Sequence, residues 1–416
     1  MIEIVRPGPL HGSVAAPPSK SHAHRLLICA ALSEEPTVLE NFARCDDLDA
    51  TISVLKAMGA AFSVTDRRMT VTPIPTIPAG KLLLDVGESG STLRFLLPVL
   101  GALGIPAEIK LHGRLPQRPM EALIDSLKAH GMSISRQNAL LSCSGQLTPG
   151  EYSLPGDVSS QFVSGLLFAL PLLNGDSVIR LTTPLQSAQY VTMTRNALSQ
   201  SGILVDIIQN EYHIPGSQTY HLPPTTIEGD WSSAANFLAA GALSAAGTTI
   251  SGLKIHSSQP DSVMSELLQK FRAEVDITQN CIVHAATLQG TTIDASQCPD
   301  LVPILAVLGA AAEGETRITN AARLRLKESD RLAATAAMLQ SLGGKAEVLP
   351  DGLRITGTGT LRGGEVPPSG DHRIVMAAAV AATICREPVI IPDAQCVTKS
   401  YPDFFRALTR LKGTML

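Results

Sequence analysis

The stretch Leu48-Asp-Ala-Thr-Ile-Ser-Val-Leu-Lys-Ala-Met-Gly59-Ala60, followed by Ala61-Phe-Ser-Val-Thr-Asp-Arg-Arg-Met-Thr-Val-Thr72, changes period part-way along. Leu48, Ile52, Leu55 and Met58 recur at the spacing of a helix that buries one face, and Gly59 supplies the left-handed residue that ends it. The run after it alternates apolar and polar side chains, as a hairpin does. A one-faced helix followed by a hairpin cannot bury its apolar side alone, so it must belong to a larger group.

The same arrangement returns along the chain. A small-polar or charged turn opens an apolar helix near Lys20, Gly90, Ser159, Trp231, Asp300 and Asp371, and successive starts lie 70, 69, 72, 69 and 71 residues apart by subtraction. Glycines closing a second helix fall at Gly59, Gly131, Gly202, Gly343 and Gly413, and Ala273 occupies the place the period would give to a glycine between Gly202 and Gly343. The spacing predicts an α/β protein built from six copies of a β-α-β-α-β-β unit. Three copies per group make two globular halves of roughly 200 residues, with the seam in Thr226 to Trp231, after the proline-rich His221 to Pro224.

Composition narrows the function. The 416 residues are 44% hydrophobic and 4% aromatic, more than one core usually serves. A net charge of -4 with 17% charged residues supplies no basic field for nucleic acid, so any bound anion must be held locally. The seven cysteines, at 29, 45, 143, 281, 298, 385 and 396, are odd in number and contain no CxxC pair, which predicts reduced thiols in a cytosol and no zinc site. The longest apolar run, Leu301 to Ala312, is too short and too proline-broken to span a bilayer, and the N-terminal residues show no signal or transit pattern.

Against that sparse charge, Leu324 to Arg331 sets Arg325, Lys327, Glu328, Asp330 and Arg331 close together. If this stretch opens a helix, Lys327 and Arg331 share a face with Glu328 beside them. The bland reading is an exposed helix start with ordinary ion pairs. The helix starts themselves present free backbone N–H groups and a positive dipole end, and are ready anion sites. Placed at those starts are Lys20, Arg25, Arg94, Ser159, Ser160, Gln161, Asp300, Asp371, His372 and Arg373. Singly, Ser159 and Asp300 read as N-caps, but recurrence at equivalent points of apolar modules points to a functional cleft. No GxxxxGK[ST], GxGxxG, GxSxG or HExxH motif occurs. His22 and His24 stand two apart, which on a helix aims them at different faces and argues against a metal.

Five motifs carry a family resemblance: Pro18-Ser19-Lys20-Ser21 with Arg25; Gly156-Asp-Val-Ser159-Ser160-Gln161-Phe162; Arg325 to Arg331; Gly370-Asp371-His372-Arg373; and Lys399-Ser-Tyr-Pro-Asp-Phe-Phe405. In this order, from end to end of the chain, they resemble the 5-enolpyruvylshikimate-3-phosphate synthases. The resemblance implies a two-domain inverted α/β barrel, residues 1–20 with 229–416 forming one domain and 21–228 the other, each of three units, closing over the active site. It implies a cytoplasmic, monomeric enzyme of aromatic amino acid and chorismate biosynthesis, acting without cofactor or metal and without a nucleic-acid or membrane partner. The family reaction transfers the enolpyruvyl group of phosphoenolpyruvate to the 5-hydroxyl of shikimate 3-phosphate.

Carried over residue by residue, Lys20, Gly90, Arg118, Gln161, Arg331, Arg373 and Lys399 are implied to contact phosphoenolpyruvate. Lys20, Ser21, Arg25, Ser159, Ser160, Gln161, Ser187, Asp300 and Lys327 are implied to contact shikimate 3-phosphate. Asp300 is the implied base at the 5-hydroxyl and Glu328 the implied acid at the methylene, with Lys20 as third catalytic group. Glu88 stands where many members have Asn, and Arg323 where some have Asn. Two alternatives are an enolpyruvyl transferase acting on UDP-N-acetylglucosamine, whose mobile loop carries a cysteine that His112 to Met120 lacks, and a non-catalytic phosphosugar-binding relative.

Overall fold

In the computed structural model, which describes residues 1–412, the repeat appears as six pairs of α-helices. The first helix of each pair is mostly apolar and enclosed on nearly every side: Lys20–Leu32, Gly90–Ala102, Ser160–Ala169, Trp231–Leu243, Val302–Ala311 and His372–Ala381 are almost wholly buried. A helix of that composition is stable only with neighbours all round it. The second helices, Asp46–Ala57, Glu121–Ala129, Ala188–Gln200, Met264–Lys270, Arg331–Ser341 and Phe404–Leu411, bury one face. In Asp46–Ala57 the buried apolar set is Leu48, Ile52, Val54 and Leu55.

The chain divides into two compact units, Met1–Ser19 with Glu228–Leu416, and Lys20–Ile227. Each has its own apolar core. Among the described residues there are three sheets per unit, and five of the six share one order. The strand before the first helix pairs in parallel with the strand after it, and a hairpin adds two antiparallel strands. Leu82–Asp85, Ala107–Lys110, Leu140–Gly145 and Met132–Gln137 illustrate this. The sheets led by Glu151–Leu154 and Thr292–Asp294 repeat it.

Two leading strands have exchanged places. Gly12–Ala15, which precedes the first helix in sequence, pairs with Thr248–Ser251, while Thr225–Thr226, which precedes the fourth, pairs with the strand Thr37–Glu40. The sixth sheet is completed by the N-terminal strand Glu3–Val5, antiparallel to Val389–Ile391. Where the chain leaves the first unit and returns to it, Pro18 bridges Gly229, and the backbone N–H groups of Ser19 and Asp230 donate to the carbonyls of Glu228 and Pro17, both at 2.7 Å. The buried Gln259 fastens the pair: its amide donates to the Gly229 carbonyl at 2.8 Å, and its Oε1 accepts from Ser19 Oγ and the Trp231 N–H, each at 3.1 Å.

The expected helix terminators are in place. Gly59, Gly131, Gly202 and Gly343 have φ of 109°, 100°, 78° and 88°, each two residues past the last helical residue and directly after the C-cap. Gly413 lies outside the described residues. In the fourth module the equivalent residue is Arg272, with φ 67°, and Ala273 is the residue after it. The backbone bonds fix the register: Arg272 N–H donates to Gln269 as Gly59 donates to Lys56, and Ala273 to Leu268 as Ala60 to Leu55. An arginine therefore sits where a side chain is strained. Arg272→Gly is expected to stabilise the protein by about 0.5–1 kcal/mol, less whatever entropy glycine adds to the unfolded chain. Denaturant midpoints of the two proteins check this.

Gly165 has a different requirement. A Cβ there would lie 2.1 Å from the carbonyl oxygen of Arg94. Only glycine lets helices Gly90–Ala102 and Ser160–Ala169 approach closely enough to bring Arg94 and Gln161 together.

Candidate active site

Each unit carries its own cluster of charged side chains at its helix starts. In the first unit the cluster is centred on Arg331, which is 1% exposed. Its Nε donates to Asp371 Oδ2 at 2.9 Å, its Nη1 to Asp300 Oδ1 at 2.7 Å, and its Nη2 to Glu328 Oε2 at 2.7 Å and Asp371 Oδ1 at 3.3 Å. Burying a guanidinium is costly unless carboxylates surround it, and here three do. Burial works against the charge of Arg331, but Asp371, Glu328 and Asp300 outweigh it and hold the group above its ordinary range.

The segment before Arg331 differs from the helical expectation. Ala322–Leu326 is a 3-10 turn, Lys327 is extended, and the α-helix begins only at Arg331, capped by Asp330. Lys327 and Arg331 therefore do not share a helical face. They meet instead at Asp300, whose Oδ1 lies 3.9 Å from Lys327 Nζ and whose Oδ2 lies 3.4 Å from Arg373 Nη2. Asp300 is not an N-cap. It stands in the turn Pro299–Leu301, before Val302–Ala311, and the N-cap residues of these two elements are Cys298 and Leu301. Burial by itself would raise Asp300, yet Arg373, Lys327 and Arg331 hold it well below the usual carboxylate range. Burial pushes Lys327 down to about 8, with Asp300 pulling the other way.

Asp371 does cap His372–Ala381, accepting from the Arg373 N–H at 3.0 Å, and Ser329 Oγ donates to it at 3.0 Å. One fully buried carboxylate thus ties Arg331 to the helix that carries Arg373. Lys399, 8% exposed, ends the turn Ala394–Lys399, which packs against that same helix.

In the second unit, Lys20 Nζ forms an ion pair with Asp47 Oδ2 at 2.7 Å. Beside it runs a hydroxyl chain in which His24 Nδ1 meets Thr51 at 2.8 Å, Thr51 meets Thr92 at 2.7 Å, and Thr92 donates to Ser89, the N-cap of Gly90–Ala102, at 2.7 Å. The Arg118 guanidinium lies over the Gly90 backbone, 3.0 Å from where a Cβ would stand. Arg94 donates to Gln161 Oε1 at 2.7 Å, and the Gln161 amide donates to Ser91 at 2.9 Å. Ser159 caps the helix of Ser160 and Gln161, accepting from the Gln161 N–H. Arg25 lies over the Phe95 ring and donates to Thr194 Oγ1, the Tyr190 carbonyl and the Ser21 carbonyl at 2.8, 2.8 and 2.6 Å. Burial lowers it to about 10. Ser187, 1% exposed, holds left-handed backbone, with φ 54°, before Ala188–Gln200.

The EPSP synthase (3-phosphoshikimate 1-carboxyvinyltransferase) family pattern matches residues 4–408. The chain belongs to this family. It is 41% identical over 413 residues to a 3-phosphoshikimate 1-carboxyvinyltransferase of Clostridium kluyveri, covering 98% of this chain and 97% of that one. It is 40% identical over 416 residues to the protein of that name in Clostridium acetobutylicum, with the same coverage. Among solved structures, EPSP synthase from Acinetobacter baumannii superposes with a TM-score of 0.81 at 25% identity, over 99% of this chain and 98% of that one. The enolpyruvyl transferase NikO from Streptomyces tendae, at 21% identity, shares the fold with a TM-score of 0.79 over 99% and 97% of the two chains. The enolpyruvyl-transferase architecture and the six-fold module expected from the sequence are therefore correct.

Sequence reading missed several partners. Asp47 is one of three acidic residues opening Asp46–Ala57, and nothing local marks it out from Asp46 or Asp49 as the carboxylate that takes Lys20 at 2.7 Å. Asp371 was expected at a helix start, but not as a ligand of Arg331. Among the described residues no group of His, Cys, Asp and Glu is placed to hold a metal ion, and no helix is long and apolar enough to cross a membrane.

Proposed function

We propose that the chain transfers the enolpyruvyl group of phosphoenolpyruvate to the 5-hydroxyl of shikimate 3-phosphate, with Asp300 and Glu328 moving the protons. The observation carrying these roles is that a single buried guanidinium, Arg331, holds both carboxyls on adjacent nitrogens. Asp300, kept anionic by its cations, takes the proton of the attacking hydroxyl. Glu328 gives a proton to the methylene carbon as the hydroxyl oxygen bonds to the neighbouring carbon. The Arg331 bond uses Oε2, so the transferable proton is assigned to Oε1. The tetrahedral intermediate then loses phosphate, and a methyl proton returns to the protein.

Lys20, Gly90, Arg118, Gln161, Arg331, Arg373 and Lys399 are proposed to hold phosphoenolpyruvate. Lys20, Ser21, Arg25, Ser159, Ser160, Gln161, Ser187, Asp300 and Lys327 are proposed to hold shikimate 3-phosphate. These sets supply the local cations that two anionic substrates need in a protein of net charge -4. A cytoplasmic enzyme is consistent with seven cysteines that form no disulfide, and a monomer is proposed on the family resemblance alone.

Phosphate release that requires both phosphoenolpyruvate and shikimate 3-phosphate is the expected assay result. Release with UDP-N-acetylglucosamine instead, or with neither acceptor, would overturn the reading. A pH dependence follows from Lys327. With its folded pKa lowered to about 8, it is cationic below that pH and loses its charge as pH rises through it. Affinity for shikimate 3-phosphate is therefore expected to weaken several-fold, on the order of 10-fold at most, between about pH 7 and pH 9. Isothermal titrations should show that step in the wild type and no step in Lys327→Met.

A further inference from the structure

Beneath the ion pair of Lys20 and Asp47 the second unit buries a row of polar side chains that the reaction as described does not use. Lys20 and His24 stand four apart on the helix Lys20–Leu32, and Asp47 and Thr51 four apart on Asp46–Ala57, so each pair shares one helix face. The two faces meet twice. Lys20 Nζ lies 2.7 Å from Asp47 Oδ2, and one turn further along His24 Nδ1 lies 2.8 Å from Thr51 Oγ1. A third helix joins at Thr92, whose hydroxyl is 2.7 Å from Thr51 Oγ1 and donates to Ser89 Oγ at 2.7 Å. Ser89 caps Gly90–Ala102, accepting also from the Thr92 N–H at 3.3 Å. His24, Thr51, Thr92 and Ser89 are each at most 1% exposed.

Burying four polar side chains has a desolvation cost that their mutual bonds must offset, and apolar side chains of the same shape would pack without it. What the polar set adds is direction. A hydroxyl has one hydrogen to donate, and that of Thr92 goes to Ser89, with the Asp47 carbonyl, at 3.4 Å, the more distant acceptor. Thr51 must then donate to Thr92, and His24 must donate to Thr51 from Nδ1. The ring is accordingly neutral with its hydrogen on Nδ1, and Nε2, the nitrogen left bare, is the one with no hydrogen-bond partner among the described residues. Burial pushes His24 down to about 3, against the pull of Asp47, which keeps the imidazole uncharged.

Both ends of this row lie against groups assigned to phosphoenolpyruvate. Its first helix carries Lys20, its second carries the Asp47 carboxylate that holds Lys20, and its third begins at Gly90, over which the Arg118 guanidinium lies. We propose that Thr51 and Thr92 are positioning residues for phosphoenolpyruvate: with His24 and Ser89 they form a one-way strut across three helix starts that fixes the Gly90 backbone relative to the Lys20 ammonium. The inference rests on the reading of Lys20 and Gly90 as phosphoenolpyruvate contacts.

The test compares Thr92→Val, which keeps the shape and removes the hydroxyl, with Thr92→Ser, which keeps the hydroxyl. In Thr92→Val the KM for phosphoenolpyruvate should rise roughly 3- to 10-fold, with a change under about 2-fold for shikimate 3-phosphate, because only the donor side is displaced. Thr92→Ser should return both constants close to wild type, which a merely space-filling role would not require. In the Lys20→Met background the same Thr92→Val substitution should cost less than in wild type, since the cation it positions is gone. NMR of nitrogen-labelled histidine, with the His24 signal identified by its loss in His24→Gln, should show the neutral form with hydrogen on Nδ1. A His24 hydrogen on Nε2 would overturn the proposal, as would an unchanged phosphoenolpyruvate KM in Thr92→Val beside a crippled Lys20→Met. If Thr92→Val does not fold, Thr51→Val carries the same expectation, and an unchanged KM there overturns it. Wild-type kinetics in Lys20→Met would instead sink the reading of the phosphoenolpyruvate contacts, whatever Thr92 does.

Discussion

Lys20→Met is expected to lower kcat by about two to three orders of magnitude while leaving the protein folded. Lys20 opens the buried helix Lys20–Leu32, but its side chain points away from the apolar core and into the ion pair with Asp47, where it is 15% exposed and its partner 10%. Its removal takes away one proposed cation for two anionic substrates. It also leaves Asp47 without its Lys20 partner, a cost of about 1–2 kcal/mol that the residual solvent access reduces. The two effects separate cleanly. Turnover in saturating substrate should collapse while the thermal midpoint falls by only a few degrees. Asp47→Asn should then show the smaller change in turnover, because it removes the partner and keeps the cation. A Lys20→Met protein whose Tm loss matched its activity loss would place Lys20 among the structural residues.

Glu328→Gln and Asp300→Asn are expected to reduce turnover by roughly 100-fold or more each, with substrate affinity changed much less. In Glu328→Gln the side-chain amide would still offer an oxygen to Arg331 Nη2, so the geometry of the cluster survives and only the transferable proton is lost. A surface ion pair would behave otherwise, because removing one charge from an exposed helix start costs at most about 1 kcal/mol and leaves catalysis alone. Glu328 is not in that situation: its partner is 1% exposed and shared with Asp300 and Asp371. Because both carboxyls serve the same addition step and hang from one guanidinium, the double variant should lose less than the product of the single losses. Rapid-quench measurement of the tetrahedral intermediate against steady-state kcat would show which half of the reaction each loss affects. Near-wild-type turnover in Glu328→Gln would remove it from the chemistry.

Much of this molecule was legible in one dimension. The period of about 70 residues, the six apolar helices with their polar starts, and the glycines that end the second helices are local patterns, set by a 3.6-residue turn and a two-residue strand repeat, and the structure reproduces them. The motifs that carry the family resemblance are local as well. Tertiary structure alone decided the pairings. That Gly12–Ala15 would complete the sheet of Thr248–Ser251, and Thr225–Thr226 that of Thr37–Glu40, depends on where the chain passes between its units, and short strands of similar composition do not encode their partners. Arg272 stands at the place where four other modules have glycine, because the backbone register requires a left-handed residue there whatever its side chain. At the site, Arg331, Asp300 and Asp371 are separated by 31 and 40 residues along the chain and meet through space. Asp261, in the turn Pro260–Val263, resembles any acid at a helix entry until burial strips it of water and leaves its Oδ1 without a hydrogen-bond partner among the described residues. Sequence period determines which residues form elements and which faces are apolar; desolvation and charge compensation, which arise only when those elements pack, determine which carboxyls surround a cation and which one is left with an unsatisfied oxygen.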